Sequence, residues 1–336
     1  MGLRFLENMY KFIRIGLRFD YQFYVSELLI KQGLLFGYTK HPIFLKNRLI
    51  VLLFKLFSSN RFVPFSNRFT KSFCCKQYLK GLRISKNDVV CFSILEISDR
   101  FINIDLPTFL KKNYPNSKVI YFFNDVISLH QRCIRNFDIN YFKSIFDLLI
   151  SFNELDVSNY NLILNRPRII NYPFESTIIC YDVLFVGKEK GRLQKLLDIY
   201  DLLESNGYKC LFYIIDVDEK TAPKRANIIY NQAISYKENL ELVSKSKCVL
   251  NLMQKGSSGI TLRDYEAIGM NRILITNNRS FVNSRFYNSR KCIFDDELND
   301  NFNKIDSFDE KEEWNGKKEY NEKNYYFWLS SLLNED

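Results

Sequence analysis

The amino-acid sequence predicts an α/β protein of two domains, each a parallel β-sheet covered by helices, with a cleft between the two sheets. Short apolar runs of strand length alternate with segments of helical periodicity, as in parallel sheets whose crossovers are helices. Residues 166–180 contain two prolines and no helical period, so they are predicted to be a linker. The 336 residues are enough for two hydrophobic cores.

The first domain is expected over residues 1–165 and opens with a strand, a loop and a helix. Its strands are predicted at residues 10–16, 34–38, 88–94, 118–123 and 147–152. Its helices are predicted at residues 21–31, 46–57 and 106–113, and the side chain of Asp105 can cap the last of them.

The second domain is expected over residues 181–305. Its strands are predicted at residues 181–186, 209–215, 248–253 and 272–276, and its helices at 193–204, at 237–244 and after the glycine-rich turn 256–259. The charged residues 306–318 are expected to form a solvated loop or a frayed helix, and residues 322–333 a C-terminal helix. The alternation makes both domains Rossmann-like.

The net charge of +10 is concentrated at one end of the chain. Residues 1–80 hold 14 Lys or Arg and 3 Asp or Glu, a net charge of +11, and apolar residues lie between these cations. Such a mixture favours binding to an anionic membrane surface, although a buried helix with a solvated basic rim is the alternative. No signature of a nucleic-acid-binding motif accompanies the charge, so we expect no nucleic acid polymer as partner.

The sequence contains no run of 18 apolar residues, and its first residues carry charges where a signal peptide would be apolar. We therefore expect a cytoplasmic protein that is peripheral on the inner membrane. Eight cysteines without a Cys-x-x-Cys spacing and only two histidines, His41 and His130, argue against structural zinc.

The turn at residues 256–259 predicts a site for an anion. Its glycines and serines allow the backbone to bend sharply between a buried strand and a helix, so that N–H groups and the positive end of the helix dipole face one ligand. A phosphate or diphosphate suits this position, and Glu266 on the helix could reach a sugar hydroxyl.

A second glycine-containing loop, residues 187–192, follows the first strand of the second domain. Gly187 and Gly191 permit close approach of the backbone, and Lys188, Lys190 and Arg192 supply positive charge. By itself, this pattern would predict only a structural loop before a helix. Since it belongs to the same sheet as the turn at 256–259, two strands away, the pair predicts the diphosphate of a sugar nucleotide.

Over about residues 118–280 the sequence resembles bacterial glycosyltransferases of the GT-B fold, of the lipopolysaccharide, O-antigen and capsular polysaccharide type. The resemblance rests on the segments 187–192 and 258–266, which read Gly-Lys-Glu-Lys-Gly-Arg and Ser-Gly-Ile-Thr-Leu-Arg-Asp-Tyr-Glu. It implies that Glu266 holds the ribose of the donor and that the residues before it hold the diphosphate. These are Ser257, Ser258, Gly259, Ile260 and Thr261.

One departure from that family concerns stereochemistry. Retaining members often carry a second glutamate eight residues before the first, and this chain has Ser258 there. We therefore expect an inverting enzyme, in which a base deprotonates the acceptor while Arg192, Lys190 and Arg263 meet the charge of the departing diphosphate.

Asp20, in the loop after the first strand, is the first candidate for the base, and its alternative role is to cap helix 21–31. Asp125, after the fourth strand, is the second candidate, followed by Glu96 and His130.

Asp216 and Asp218 offer a competing interpretation, because such a pair binds a divalent ion and the donor diphosphate in single-domain sugar transferases. Their place in the middle of the second domain favours a solvated turn. We expect no essential metal and no other cofactor.

The predicted function is transfer of a sugar from a nucleotide-diphosphate donor to a lipid-linked or lipopolysaccharide glycan at the membrane surface. Two alternatives stay open. One is a nucleotide-sugar epimerase of similar fold, and the other is a non-catalytic scaffold docked on a membrane.

Overall fold

The computed structural model describes residues 10–58, 68–95, 105–123, 126–128, 131, 137–174, 178–218, 220, 222–254 and 259–334. The chain forms two compact units. The first contains residues 1–167 and 323–336, and the second contains residues 168–322. The C-terminal segment thus returns to the first unit.

The first unit contains a six-stranded sheet of order β2-β1-β3-β4-β5-β6, in which every neighbouring pair is parallel. Its strands are β1 Lys11–Leu17, β2 Gly37–Lys40, β3 Val90–Ile94, β4 Ser117–Phe123, β5 Leu148–Ser151 and β6 Ile163–Leu164. Its helices include α1 Asp20–Lys31, α2 Arg48–Phe57, α3 Arg68–Tyr78, α4 Leu106–Asn113, α5 Ile139–Ile145 and α6 Glu154–Tyr160.

The second unit contains another six-stranded parallel sheet, of order β12-β11-β10-β7-β8-β9. Its strands are β7 Tyr181–Lys188, β8 Cys210–Ile215, β9 Ile228–Tyr230, β10 Ser246–Asn251, β11 Ile273–Thr276 and β12 Cys292–Phe294. Its helices are α7 Leu193–Ser205, α8 Tyr236–Ser244, α9 Leu262–Gly269 and α10 Phe302–Asp306. The last helix of the chain is α11 Glu322–Leu333.

The central strands are largely apolar and buried in the cores of the two units. All five residues of β3 are buried, as expected for a parallel strand with no solvated face. In the first unit α11 packs against β1, where the Tyr326 ring lies 4.9 Å from Phe12. The buried Arg14 guanidinium also donates to the Tyr326 hydroxyl at 3.3 Å and to Ser26 at 3.1 Å.

Two local predictions are wrong. Asp105 holds the N-cap position of α4, but its carboxylate accepts a hydrogen bond from the Tyr141 hydroxyl at 2.9 Å and does not cap the described helix. Residues 306–318 are not simply solvated, because Trp314 is only 2% exposed and its indole N–H donates to the Arg272 carbonyl. Glu310 in the same stretch pairs with the buried Arg272 guanidinium at 3.1 Å.

Among the helices that the structure describes, none has the length and apolar character needed to cross a lipid bilayer.

Candidate functional site

The two glycine-containing loops of the second unit follow adjacent strands. β7 pairs directly with β10, with Val183 opposite Cys248 and Leu184 opposite Val249. The predicted separation of two strands is therefore wrong, and the loops are closer than expected. From β7 the chain continues to β8 and β9 on one side, whereas β10 leads to β11 and β12 on the other. Ligands of doubly wound sheets bind at such a switch point, outside the carboxyl ends of the strands.

The loop after β7 turns sharply through two residues in the left-handed region. Lys190 has φ 47° and Gly191 has φ 74°, and the Gly191 N–H donates to Glu189 Oε2 at 2.7 Å. A side chain at position 191 would be strained by this φ. Gly187 and Lys188 still belong to β7 and pair with β8. The tight turn holds Lys188, Lys190 and Arg192 at the carboxyl edge of the sheet.

Arg192, which occupies the N-cap position of α7, is fixed by its own loop. Its guanidinium donates to the Lys188 carbonyl at 2.7 Å and to the Glu189 carbonyl at 3.2 Å. Burial lowers the pKa of Arg192, and the positive charge of Arg263 lowers it further. Arg192 and Arg263 thus follow two adjacent strands at the same edge of the sheet. A bound anion there would be attracted by both positive charges.

The start of α9 is stabilised by a buried carboxylate. Thr261 holds the N-cap position, and its N–H donates to Asp264 Oδ2 at 2.7 Å in a capping box. Asn251, the last residue of β10, donates to Asp264 Oδ1 at 2.7 Å and to Thr261 Oγ1 at 3.0 Å. Burial raises the pKa of Asp264 to about 6 although these hydrogen bonds oppose the shift.

Gly259 lies just before this helix with φ 89°, and its carbonyl accepts a hydrogen bond from Asn278 Nδ2 at 3.0 Å. The predicted diphosphate contacts Ser257 and Ser258 lie outside the described residues, as does Gly256. The structure thus describes the predicted anion segment from Gly259 onward.

Glu266, the predicted ribose contact, is 1% exposed. Its Oε2 accepts from Asn239 Nδ2 at 3.2 Å and lies 3.6 Å from Arg263 NH1. Arg263 also donates to Asn239 Oδ1 at 3.1 Å, so the three side chains form one network. Burial raises the pKa of Glu266, against the effects of Arg263, Asn239 and Tyr236. The predicted ribose contact is therefore a buried carboxylate that is already held by protein side chains.

The aspartate pair after β8 is part of the same edge of the sheet. Asp216 Oδ2 forms an ion pair with Lys188 Nζ at 2.8 Å, and both side chains are more than half exposed. The Asp218 carboxylate accepts from the Lys220 N–H at 3.1 Å within its own turn. Within the described part of the chain, no group of three or more His, Cys, Asp or Glu side chains could hold a metal ion.

In the first unit, Asp20 is the first residue of α1 and is exposed. Its alternative role as the N-cap is wrong, because Phe19 holds that position. Gln22 Oε1 accepts from the N–H groups of Arg18 and Phe19, at 2.9 and 3.2 Å. The other candidate bases, Asp125, Glu96 and His130, lie outside the described residues.

Sequence reasoning considered His41 only as an incomplete metal ligand. The structure places it directly after β2, with Nε2 3.2 Å from the Arg18 guanidinium and 3.1 Å from the Tyr78 hydroxyl. Arg18 follows β1, the neighbour of β2, so both residues lie at the carboxyl edge of the first sheet. In the sequence, the one feature that could indicate this position of His41 is that a histidine directly follows a short strand.

No protein-family model and no curated protein matches the sequence. Solved structures do match. An α-glucosyltransferase in complex with UDP and a 13-mer DNA containing an HMU base has a TM-score of 0.59 at 15% identity, over 97% of this chain and 100% of that chain. Another, with UDP and a 13-mer DNA containing an A:G mismatch, has a TM-score of 0.57 at 16% identity, over 95% and 94%.

A third structure, of α-glucosyltransferase with UDP-glucose and DNA containing an abasic site, has a TM-score of 0.56 at 16% identity, over 96% of this chain and 93% of that chain. Likeness at these identities establishes the fold, and it extends over nearly the whole of both chains. The predicted fold is confirmed, and the chain has the GT-B fold of the glycosyltransferases.

Proposed function

We propose that the protein is a glycosyltransferase that takes its sugar from a UDP-sugar or related nucleotide-diphosphate donor. The observation that carries this proposal is the position of Arg192 and Arg263, which follow two adjacent parallel strands at the same edge of the sheet. A diphosphate bound there would be stabilised by both charges. The solved structures of the same fold that hold UDP or UDP-glucose support the choice of donor.

The donor diphosphate would lie along the loop that follows β7 and the start of α9. We propose that Glu266 binds the ribose after exchanging a protein partner for a sugar hydroxyl. The remaining donor contacts are proposed from the sequence: Gly187, Lys188, Lys190, Gly191, Arg192, Ser257, Ser258, Gly259, Thr261 and Arg263.

The chemical step breaks the bond between the sugar and the diphosphate, which leaves with additional negative charge. Arg192 and Arg263 would stabilise that charge, so we propose a reaction that needs no metal. Asp20 and Asp125 remain the proposed bases for the acceptor hydroxyl, with inversion at the sugar carbon. Activity that persists with a chelator of divalent ions is the expected result.

For the acceptor we propose a lipid-linked or lipopolysaccharide glycan, as in O-antigen or capsular polysaccharide synthesis, at the cytoplasmic face of the membrane. The basic charge of residues 1–80 and the apolar residues between those cations support a membrane surface as the place of reaction.

A second candidate acceptor is duplex DNA. Solved structures with TM-scores of 0.57 and 0.59 to this chain hold DNA together with UDP, and the basic charge of residues 1–80 would also suit phosphates. If DNA is the acceptor, the proposed donor site stays the same.

Release of UDP from a panel of UDP-sugars tests the proposal, with membrane glycolipid or duplex DNA containing HMU as the added acceptor. Stimulation by glycolipid alone supports the first acceptor, and stimulation by DNA alone transfers the proposal to the second. Conversion of the UDP-sugar without any acceptor would identify an epimerase. Absence of any reaction, together with absence of UDP binding, would contradict the proposed function.

A further inference from the structure

Helix α2 turns an apolar face away from the protein. Leu49, Leu52 and Leu56 are 63%, 62% and 50% exposed, and their spacing of three and four residues places them on one side of the helix. The opposite side carries Phe54, which is fully buried and packs against Tyr78 with ring centroids 5.6 Å apart. Phe57 also packs inward, with its ring 5.6 Å from that of Phe73, while the three leucines face outward.

The elements in contact with α2 add further exposed aromatic rings. Phe44, at the end of the turn Pro42–Phe44, is 49% exposed, and Phe69, near the start of α3, is 72% exposed. We call Phe44, Leu49, Leu52, Leu56 and Phe69 the apolar face. Scattered exposed apolar residues are ordinary, but five of them on one helix and its two neighbours indicate a binding surface.

The chain segment that carries this face has charges of one sign. Residues 28–87 contain 12 Lys or Arg and no Asp or Glu. By helical spacing, Arg48 and Lys55 flank the leucines on the same side of α2, and both are exposed. Exposed Lys46 precedes the helix, and exposed Arg68 precedes Phe69. A partner for this surface must be both anionic and able to bury leucine side chains.

We infer that α2 lies flat on an anionic lipid bilayer, with its leucines inserted between the headgroups and its cations bound to lipid phosphates. A DNA backbone offers no apolar surface that could cover these leucines. The boundary between the lipid headgroups and the acyl chains of a bilayer does, and burial there removes the leucines from water. The basic residues add attraction that falls with rising salt. A short amphipathic helix with basic flanks suits such an interfacial position.

This inference rests on the membrane part of the proposed function, but its test needs neither donor nor acceptor. The full-length protein is sedimented with vesicles of equal parts phosphatidylcholine and phosphatidylglycerol, and in parallel with pure phosphatidylcholine vesicles. The wild type should bind the mixed vesicles, more weakly as salt rises, and the neutral vesicles poorly. The triple variant Leu49→Gln/Leu52→Gln/Leu56→Gln should bind the mixed vesicles about tenfold more weakly or worse.

Leu155→Gln is the matched control, because Leu155 is 72% exposed on α6 between the acidic residues Glu154 and Asp156. It should bind vesicles like the wild type, and unchanged thermal unfolding would show that both variants are folded. A direct readout is Leu52→Trp, whose fluorescence should shift to the blue with mixed vesicles, whereas that of Leu155→Trp should not.

Equal vesicle binding by the triple variant and the wild type would overturn the inference. A wild type that does not bind vesicles but binds duplex DNA would also overturn the inference. The basic residues would then belong to a surface that binds nucleic acid. UDP binding measured on the same preparations separates either outcome from a failure of the proposed donor site.

Discussion

The loop at residues 187–192 and the segment at residues 259–266 follow adjacent strands of one sheet, yet they are built in opposite ways. In the loop, Lys188 and Lys190 are exposed, and the turn is closed mainly by its own backbone and Glu189. In the segment, Asp264 and Glu266 are buried, and Asn251 and Asn239 donate hydrogen bonds to their carboxylates.

This difference separates two tasks within one site. The segment at 259–266 is a preorganised support whose polar groups are satisfied by the protein, and its buried carboxylates have raised pKa values. In the loop at 187–192, Arg192 is held by backbone carbonyls, whereas Lys188 and Lys190 carry exposed positive charge that is available to a ligand. Substitutions in the segment should therefore affect stability most, and substitutions in the loop should affect donor binding most.

The largest expected effect is on folding. Asp264→Ala removes the acceptor of the Thr261 N–H and of Asn251 Nδ2 in a fully buried position. Loss of the cap and of both hydrogen bonds to the buried carboxylate should together lower the free energy of unfolding by about 2–4 kcal/mol, although Asn251 Nδ2 keeps its bond to Thr261 Oγ1. Urea unfolding of the variant and the wild type measures this difference in free energy.

Glu238→Ala is the control for this prediction, since Glu238 completes a similar capping box at α8 but is exposed. Its cost should be clearly smaller than that of Asp264→Ala, because an exposed cap leaves its partners accessible to water. Equal costs for the two variants would show that burial of Asp264 does not distinguish the segment.

The next effect is a dependence of stability on pH. The pKa of Asp264 is about 6 in the folded protein and about 3.9 when unfolded, so between these values the folded state binds more protons. Stability from this group is therefore greatest below pH 4 and is lost as the pH rises to about 6, by up to about 3 kcal/mol. The raised pKa of Glu266 acts in the same direction.

The measurement is the free energy of unfolding of the wild type and of Asp264→Asn between pH 4 and 7. The free energy of unfolding should fall less steeply with rising pH in Asp264→Asn than in the wild type. Exposed carboxylates with lowered pKa values, such as that of Asp201 beside Arg225, act in the opposite direction in both proteins and cancel in the difference. Parallel curves for the two proteins would contradict the assignment to Asp264.

The smallest stability effect is expected in the loop. Lys188→Ala breaks an exposed ion pair with Asp216, so the free energy of unfolding should change by less than about 1 kcal/mol. UDP affinity should nevertheless fall several-fold. Asp216→Ala breaks the same pair, and if it weakened UDP binding as much as Lys188→Ala, the role of Lys188 would be structural.

Much of the fold could be predicted from the sequence, because apolar runs of strand length, such as those of β4, β7 and β10, favour buried strands. The edge strands β6, β9 and β12 were missed, since each has only two or three residues. Helix α3 was missed because its pattern of Lys, Ser and Cys shows no clear apolar period. Trp314 was overlooked within a charged stretch whose character predicted solvent.

The site could be predicted only in part. The glycines and cations of the two loops are visible in the sequence, but the adjacency of β7 and β10 depends on the order of strands in the sheet, which no local pattern encodes. Asp264 looks like any acidic residue in the first turn of a helix. Its burial and its two donors, Thr261 and Asn251, become apparent only in the folded structure.

Binding of UDP by titration calorimetry to the wild type, to Arg192→Ala and to Arg290→Ala tests the central claim most directly. Arg290 is a matched control, because its side chain is 81% exposed and paired with Glu312 at 3.4 Å, outside the proposed donor contacts. The predicted result is an affinity about tenfold weaker for Arg192→Ala, from loss of a charged hydrogen bond, and unchanged for Arg290→Ala. Equal affinity of Arg192→Ala and the wild type, or a wild type that does not bind UDP, would contradict the account.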